Sequence, residues 1–178
     1  TGEPIHSDSG NPRPMRGMSL SSYFAENGWN VVFISSRFYH QTKKHRDSPA
    51  DIVYADNLRI HLIDSPGYCR NLGLGRLYDH ACLAINFLRW AANEKSPDCI
   101  FIGYPPIELS YASLHWARKR RIPVVLDVKD LWPQNFLQIF PRPLRFIGCA
   151  VFSPYFLMAK YTINRSTVVS SISNSFLL

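Results

Sequence analysis

Acidic residues are scarce in this chain. Its 178 residues carry 13 Asp and Glu against 20 Lys and Arg, giving a net charge of +7 and a pI near 9.4. That imbalance favours an anionic partner: a phosphate-bearing ligand, nucleic acid or an acidic membrane surface. Charge alone does not choose among them. Cysteine is also sparse, and Cys69, Cys82, Cys99 and Cys149 show no C-x-x-C spacing. Zinc and disulfide frameworks are therefore not expected, and reduced thiols in a cytosolic protein are. No apolar run reaches the roughly 20 residues that span a bilayer. The most apolar stretch, Phe146 to Ala159, is interrupted by Ser153-Pro154. No signal peptide, internal repeat or dividing linker is visible.

What is present fits a globular domain. Hydrophobic residues make up 46% and charged residues 19%, which argues against disorder. The length suffices for one domain with a sizeable core.

Residues 1–13 hold turn formers and polar groups and read as a loop. Asn11 is placed to cap a helix with Pro12 at its first position. That helix is expected to run to about Asn27, with Leu20, Tyr23 and Phe24 on one face and Gly28 ending it. Residues 29–35 read as a strand, followed by a long polar loop through His40, Lys43, Lys44, His45 and Arg46. Residues 58–63 alternate and read as the next strand, stopped by Ser65-Pro66-Gly67. The helix that follows carries Leu77, Ala81, Ala84, Ile85, Leu88, Ala91 and Ala92 on one expected face. Further strands are expected at 98–102, 124–128 and 167–172, with helices at 107–120 and in the apolar region 143–163. Strands alternating with helices imply parallel β-α-β units and an α/β, doubly wound sheet.

The stretch Pro123-Val-Val-Leu-Asp127-Val-Lys129-Asp130-Leu131-Trp132-Pro133 organises the rest. It opens as a buried parallel strand and ends in residues that cannot continue it. Ligands of open α/β sheets bind outside the carboxyl ends of the strands. Asp127, Lys129 and Asp130 are therefore candidate site residues; the plainer alternative is an Asp130 turn cap paired with Lys129.

These segments resemble the N-terminal domain of family 4 glycosyltransferases, which have the two-domain GT-B architecture. The likeness is to the bacterial enzymes of O-antigen, capsule and exopolysaccharide synthesis. It rests on Glu3-Pro4 … Gly10-Asn11-Pro12-Arg13 with Asn27-Gly28-Trp29, on Ser35-Ser36-Arg37-Phe38-Tyr39-His40-Gln41 with Lys43 to Arg46, and on Leu126 to Pro133. The resemblance implies that residues 1–178 form a single Rossmann-like domain that holds the acceptor, one half of the GT-B pair. It implies transfer of a sugar from a nucleotide sugar to a lipid-linked or glycan acceptor, with no cofactor beyond that donor. The family's donor motif, two glutamates separated by seven residues, is absent, as is a strand before residue 1. The isolated chain is accordingly expected to be inactive without a C-terminal domain. The protein is expected in the cytoplasm, with the inner membrane surface as a second partner.

The same resemblance sets the candidate roles. Asp130 is expected to align or deprotonate the acceptor hydroxyl; His40 is expected to orient that hydroxyl or bind a phosphate, with a surface histidine as the alternative. Gly10, Asn11, Arg13 and Arg16, at a loop leading into a helix N-terminus, are expected to receive a phosphate; an ordinary turn with solvated arginines is the alternative. Arg37, Lys43 and Lys129 join the phosphate- or acceptor-binding set, and the alternative for Lys43 to Arg46 is a solvated basic loop. No carboxylate or cysteine cluster supports a metal at His40 and His45. For the apolar region 143–163, a core helix covering the sheet competes with a helix on an anionic membrane surface. Two other functions compete: a nucleotide-sugar epimerase of the same architecture, and a non-catalytic docking module. Dispersed basic residues and the absence of nucleic-acid motifs argue against nucleic acid as a partner.

Overall fold

The computed structural model describes residues 3–5, 8, 13–71 and 73–171. It is a mixed α/β protein of two compact units, Thr1–Asn86 and Phe87–Leu178. The described strands form three separate sheets, where the sequence pattern leads one to expect a single continuous one.

In the first unit, helix α1 spans Arg16–Glu26 and buries Met18, Ser21 and Ala25. The expected Leu20–Tyr23–Phe24 face is displaced, and Tyr23 is 59% exposed. Small side chains let the helix lie close to the sheet while the two rings pack edge-on to each other at its surface. Its cap is Met15, which makes no side-chain cap bond. The helix thus starts after the expected Asn11–Pro12, and Asn11 lies outside the described residues. Gly28 ends it as expected, at φ +85°, donating its N–H to Ala25 while Trp29 donates to Phe24.

Strand β1 (Val31–Ser36) pairs in parallel with β5 (Leu58–Ile63), and β4 (Asp51–Ala55) closes the other edge of β5 in antiparallel sense. Two-residue strands β2 (Phe38–Tyr39) and β3 (Lys44–His45) form a hairpin where a loop was expected. Ile5, Met18, Ala25, Leu58, Ile60 and Leu62 make the core of this unit.

Helix α2 spans Leu74–Asn93, across the boundary between the units. Its buried stripe is Asp79, His80, Leu83, Ala84, Phe87 and Ala91. The expected stripe is rotated, for Ile85 is 50% and Leu88 38% exposed. The larger Phe87 and Leu83 take the buried side, together with two polar residues that hydropathy alone would place outside.

In the second unit, β6 (Ile100–Tyr104), β7 (Val124–Val128) and β8 (Val168–Ser171) pair in parallel in the order β6-β7-β8. Helix α3 (Ile107–Lys119) carries Glu108 in its first turn and Arg118 and Lys119 in its last, each favourable to the helix dipole. Its buried face includes Ile107, Leu114 and Ala117. After β7 come the short 3-10 segments Gln134–Ile139 and Arg142–Leu144, then α4 (Arg145–Val151) and α5 (Ser153–Arg165). Among the described residues no single helix is long and apolar enough to cross a membrane.

Candidate functional site

The first unit gathers positive charge at the carboxyl ends of its parallel pair. Beyond β1 the chain enters the β2–β3 hairpin. Beyond β5 it passes through Ser65-Pro66-Gly67 to Tyr68. The two exits are tied together: Arg37 donates its N–H to Ile63 O at 2.8 Å, and the Ser36 and Ser65 hydroxyls meet at 3.2 Å. His45 donates from Nε2 to Ser65 O at 2.7 Å, because the carbonyl can only accept.

Gly67 is the pivot. It sits at φ +79°, and a Cβ there would stand 2.6 Å from the Phe38 ring. Its N–H donates to Asp79 Oδ1 at 2.6 Å, which fixes the loop to α2. Only glycine meets both demands. Tyr68 is thereby laid against Phe38, with ring centroids 5.0 Å apart.

Around Tyr68 stand Lys43, Arg76, His40 and His80. Lys43 Nζ lies 4.4 Å and the Arg76 guanidinium carbon 5.6 Å from the ring centroid. His40 and His80 rings lie 5.7 Å and 6.0 Å from it. Lys43 donates to His40 Nδ1 at 2.9 Å and to Asn71 Oδ1 at 2.5 Å, and Arg76 donates to Asn71 O at 2.9 Å. The Tyr68 hydroxyl is 2.5 Å from the same His40 nitrogen. An ammonium can only donate, so His40 Nδ1 is an acceptor and the ring is neutral with its proton on Nε2. Its pKa is lowered by burial first, then by the charges of Lys43, Arg76 and His80. The Lys43 ammonium is also held below its usual pKa, by desolvation and then by Arg76. Burial raises the Tyr68 phenol, so it stays a donor. Like charges disfavouring one another in one place are what an anion would relieve.

His40 and Lys43 are brought together. Arg37 instead pairs with Asp64 at 2.6 Å and donates to Ser48 O at 2.9 Å. Arg13 and Arg16 are exposed, while Gly10 and Asn11 lie outside the described residues. Glu3 approaches the first turn of α1 so closely that a Cβ on Gly17 would be 2.6 Å from its Oε2. That helix start therefore already faces a carboxylate. Arg46, expected in a solvated loop, is buried. It holds Asp8 through two bonds of 2.6 and 2.9 Å and reaches the carbonyls of Ser36 and Glu3. Tyr68, Asn71, Arg76 and His80 are additions that the sequence alone does not single out.

The second unit holds the other candidates. Asp127 is fully buried in β7 and accepts a bond from Ser170 Oγ at 3.0 Å. It is a structural residue rather than one beyond the strand end. Asp130, two residues past β7, is exposed. Lys129 is half-buried, its Nζ 3.4 Å from where a Cβ on Gly103 would stand. The loop is held by Tyr104, whose hydroxyl donates to Trp132 O at 2.5 Å. Burial first, and then the Glu108 carboxylate, push the Tyr104 phenol far above its usual pKa, so it does not ionise. Trp132 packs edge-on against Phe136 at 4.8 Å. Asp130 is thus an exposed carboxylate on an anchored loop.

No family model matches this chain, and no curated protein matches it.

Proposed function

We propose that this chain is the acceptor-binding portion of a nucleotide-sugar glycosyltransferase, a Rossmann-like half of a GT-B pair. The acceptor class is a lipid-linked diphosphate or a glycan of cell-surface polysaccharide synthesis. The observation that carries the reading is the convergence of Lys43, Arg76, His40 and His80 on Tyr68, outside the carboxyl ends of the parallel β1–β5 pair. Two cationic side chains and a neutral imidazole with an Nε2–H donor suit a diphosphate, which needs several donors and charge neutralisation. The tyrosine face beneath them keeps the cations in place without neutralising them. Asp130 supplies the second element of the reading. An exposed carboxylate on a loop anchored by Tyr104 is suited to accept a hydrogen bond from an acceptor hydroxyl and align it.

Incorporation of label from radioactive nucleotide sugars tests this in membranes of cells producing the chain together with a donor-binding domain. The expected result is label in an organic-extractable lipid or glycan, lowered roughly 10²-fold or more by Asp130→Asn. Label appearing instead as a free epimerised sugar nucleotide favours the epimerase. Incorporation indifferent to both Asp130→Asn and Lys43→Ala overturns the reading.

A further inference from the structure

The last 48 residues, from Leu131 to Leu178, contain no Asp or Glu at all, yet carry Arg142, Arg145, Lys160 and Arg165. In the same stretch, α4 does not behave as a core helix. Its one buried residue is Gly148, which lies so near Phe140 and Leu137 that a Cβ would meet them at 2.9 and 3.1 Å. The backbone rests on the preceding 3-10 segment at that glycine. The apolar side chains are turned away: Phe146 is 70%, Val151 61% and Ile147 42% exposed. On α5, Leu157 is 67% exposed, while Ala159 and Thr162 form the buried side and Tyr161 packs on Tyr111 of α3 at 5.4 Å. The expectation of a core helix over residues 143–163 therefore holds only for one face of α5.

We propose that α4 and the outer face of α5 dock on an anionic lipid bilayer. Exposed phenylalanine, valine, isoleucine and leucine enter the acyl boundary, and Arg142, Arg145 and Lys160 meet the acidic headgroups. The absence of any carboxylate from the segment removes the repulsion that such a surface would impose. The segment lies in the interface and does not span. α4 is about 10 Å long, the chain bends by 69° between Arg142–Val151 and Ser153–Arg165, and the buried face of α5 is committed to its own unit. A protein or nucleic-acid partner would match the charge equally well. An isolated apolar helix standing on a glycine, with its large side chains outward, favours lipid. This inference stands on different residues from the glycosyltransferase reading and survives or fails without it.

The test is co-sedimentation of the whole protein with vesicles of phosphatidylglycerol and phosphatidylethanolamine, against vesicles of phosphatidylcholine alone. Binding to the anionic vesicles is expected to exceed the neutral case by about tenfold or more, and to weaken with salt. Phe146→Glu with Val151→Glu, both at exposed sites, should abolish it with the melting temperature unchanged. Arg142→Gln with Arg145→Gln should cost about tenfold and flatten the salt dependence. A second readout needs no loss of binding. A polarity-sensitive dye on the exposed Cys149, with Cys69 and Cys99 replaced by serine, should shift to the blue on anionic vesicles. No partition of the wild-type protein, equal partition to both lipids, or binding untouched by the glutamate pair would each overturn the proposal. So would tighter binding to duplex DNA than to the vesicles.

Discussion

The guanidinium of Arg46 holds both carboxylate oxygens of Asp8, at 2.6 and 2.9 Å, with the two side chains only 3% and 5% exposed. Asp8 also accepts the N–H of Ile5 at 2.9 Å. The pair thus fastens the N-terminal segment to the hairpin and to the end of β1. Removing one partner leaves the other charged and buried, which costs about 3–5 kcal/mol. Asp8→Ala is expected to lower stability by that amount in a denaturant titration. Arg46→Lys should cost less than Asp8→Ala, since an ammonium keeps the charge but cannot reproduce the fork. A loss below about 1 kcal/mol for Asp8→Ala would contradict the pairing.

Asp127 and Asp130 stand three residues apart and should respond in opposite ways. Asp127→Ala orphans the Ser170 hydroxyl inside the second unit, and a loss of about 1–3 kcal/mol is expected. Asp130→Ala, at the exposed end of the loop, should change stability by less than about 0.5 kcal/mol. Thermal melts of the two variants decide this. Equal losses would remove the distinction between a structural and a site carboxylate.

His40 should be hard to protonate. Burial and the charges of Lys43, Arg76 and His80 lower its pKa, so the folded protein binds fewer protons there than the unfolded chain. Above the unfolded pKa of about 6.5 His40 leaves stability unaffected. As pH falls from there through the lower folded pKa, it withdraws stability. Titration of the ring resonances should give a pKa below the ordinary value, rising when pyrophosphate is added. A ring that titrates normally would contradict the cluster geometry.

Several elements were legible because one pattern dominated them. Residues 124–128 are almost wholly apolar, and 58–62 alternate strictly, so both strands fall where expected. The Gly28 stop was readable because glycine enters the left-handed turn without steric cost. Others were hidden by chemistry that a local window does not see. α2 buries Asp79 and His80, which distort its apolar stripe. The β2–β3 hairpin has two residues per strand and a basic turn, so it reads as loop. Arg46 looked solvated because its partner lies 38 residues away. The site shows the same division. His40 and Lys43 were visible as basic residues beyond a strand. Tyr68 and Arg76 join them only once the parallel β1–β5 register brings the two strand exits together.

Tyr104→Phe isolates the anchor of the Asp130 loop. The hydroxyl gives up its bond to Trp132 O, and a stability loss of about 1 kcal/mol is expected. Sugar transfer should fall more than stability alone accounts for, because Asp130 loses its fixed position. Unchanged transfer in that variant would show that the loop is held by other contacts.

Calorimetric titration with inorganic pyrophosphate tests the central claim most directly. The protein should bind one pyrophosphate per chain, more tightly as pH falls toward the folded pKa of His40. Lys43→Ala with Arg76→Ala should weaken that binding at least about tenfold, the loss of two charge-assisted contacts, while Lys44→Ala on β3 leaves it unchanged. No saturable binding, or the same affinity in the double variant, would contradict the account.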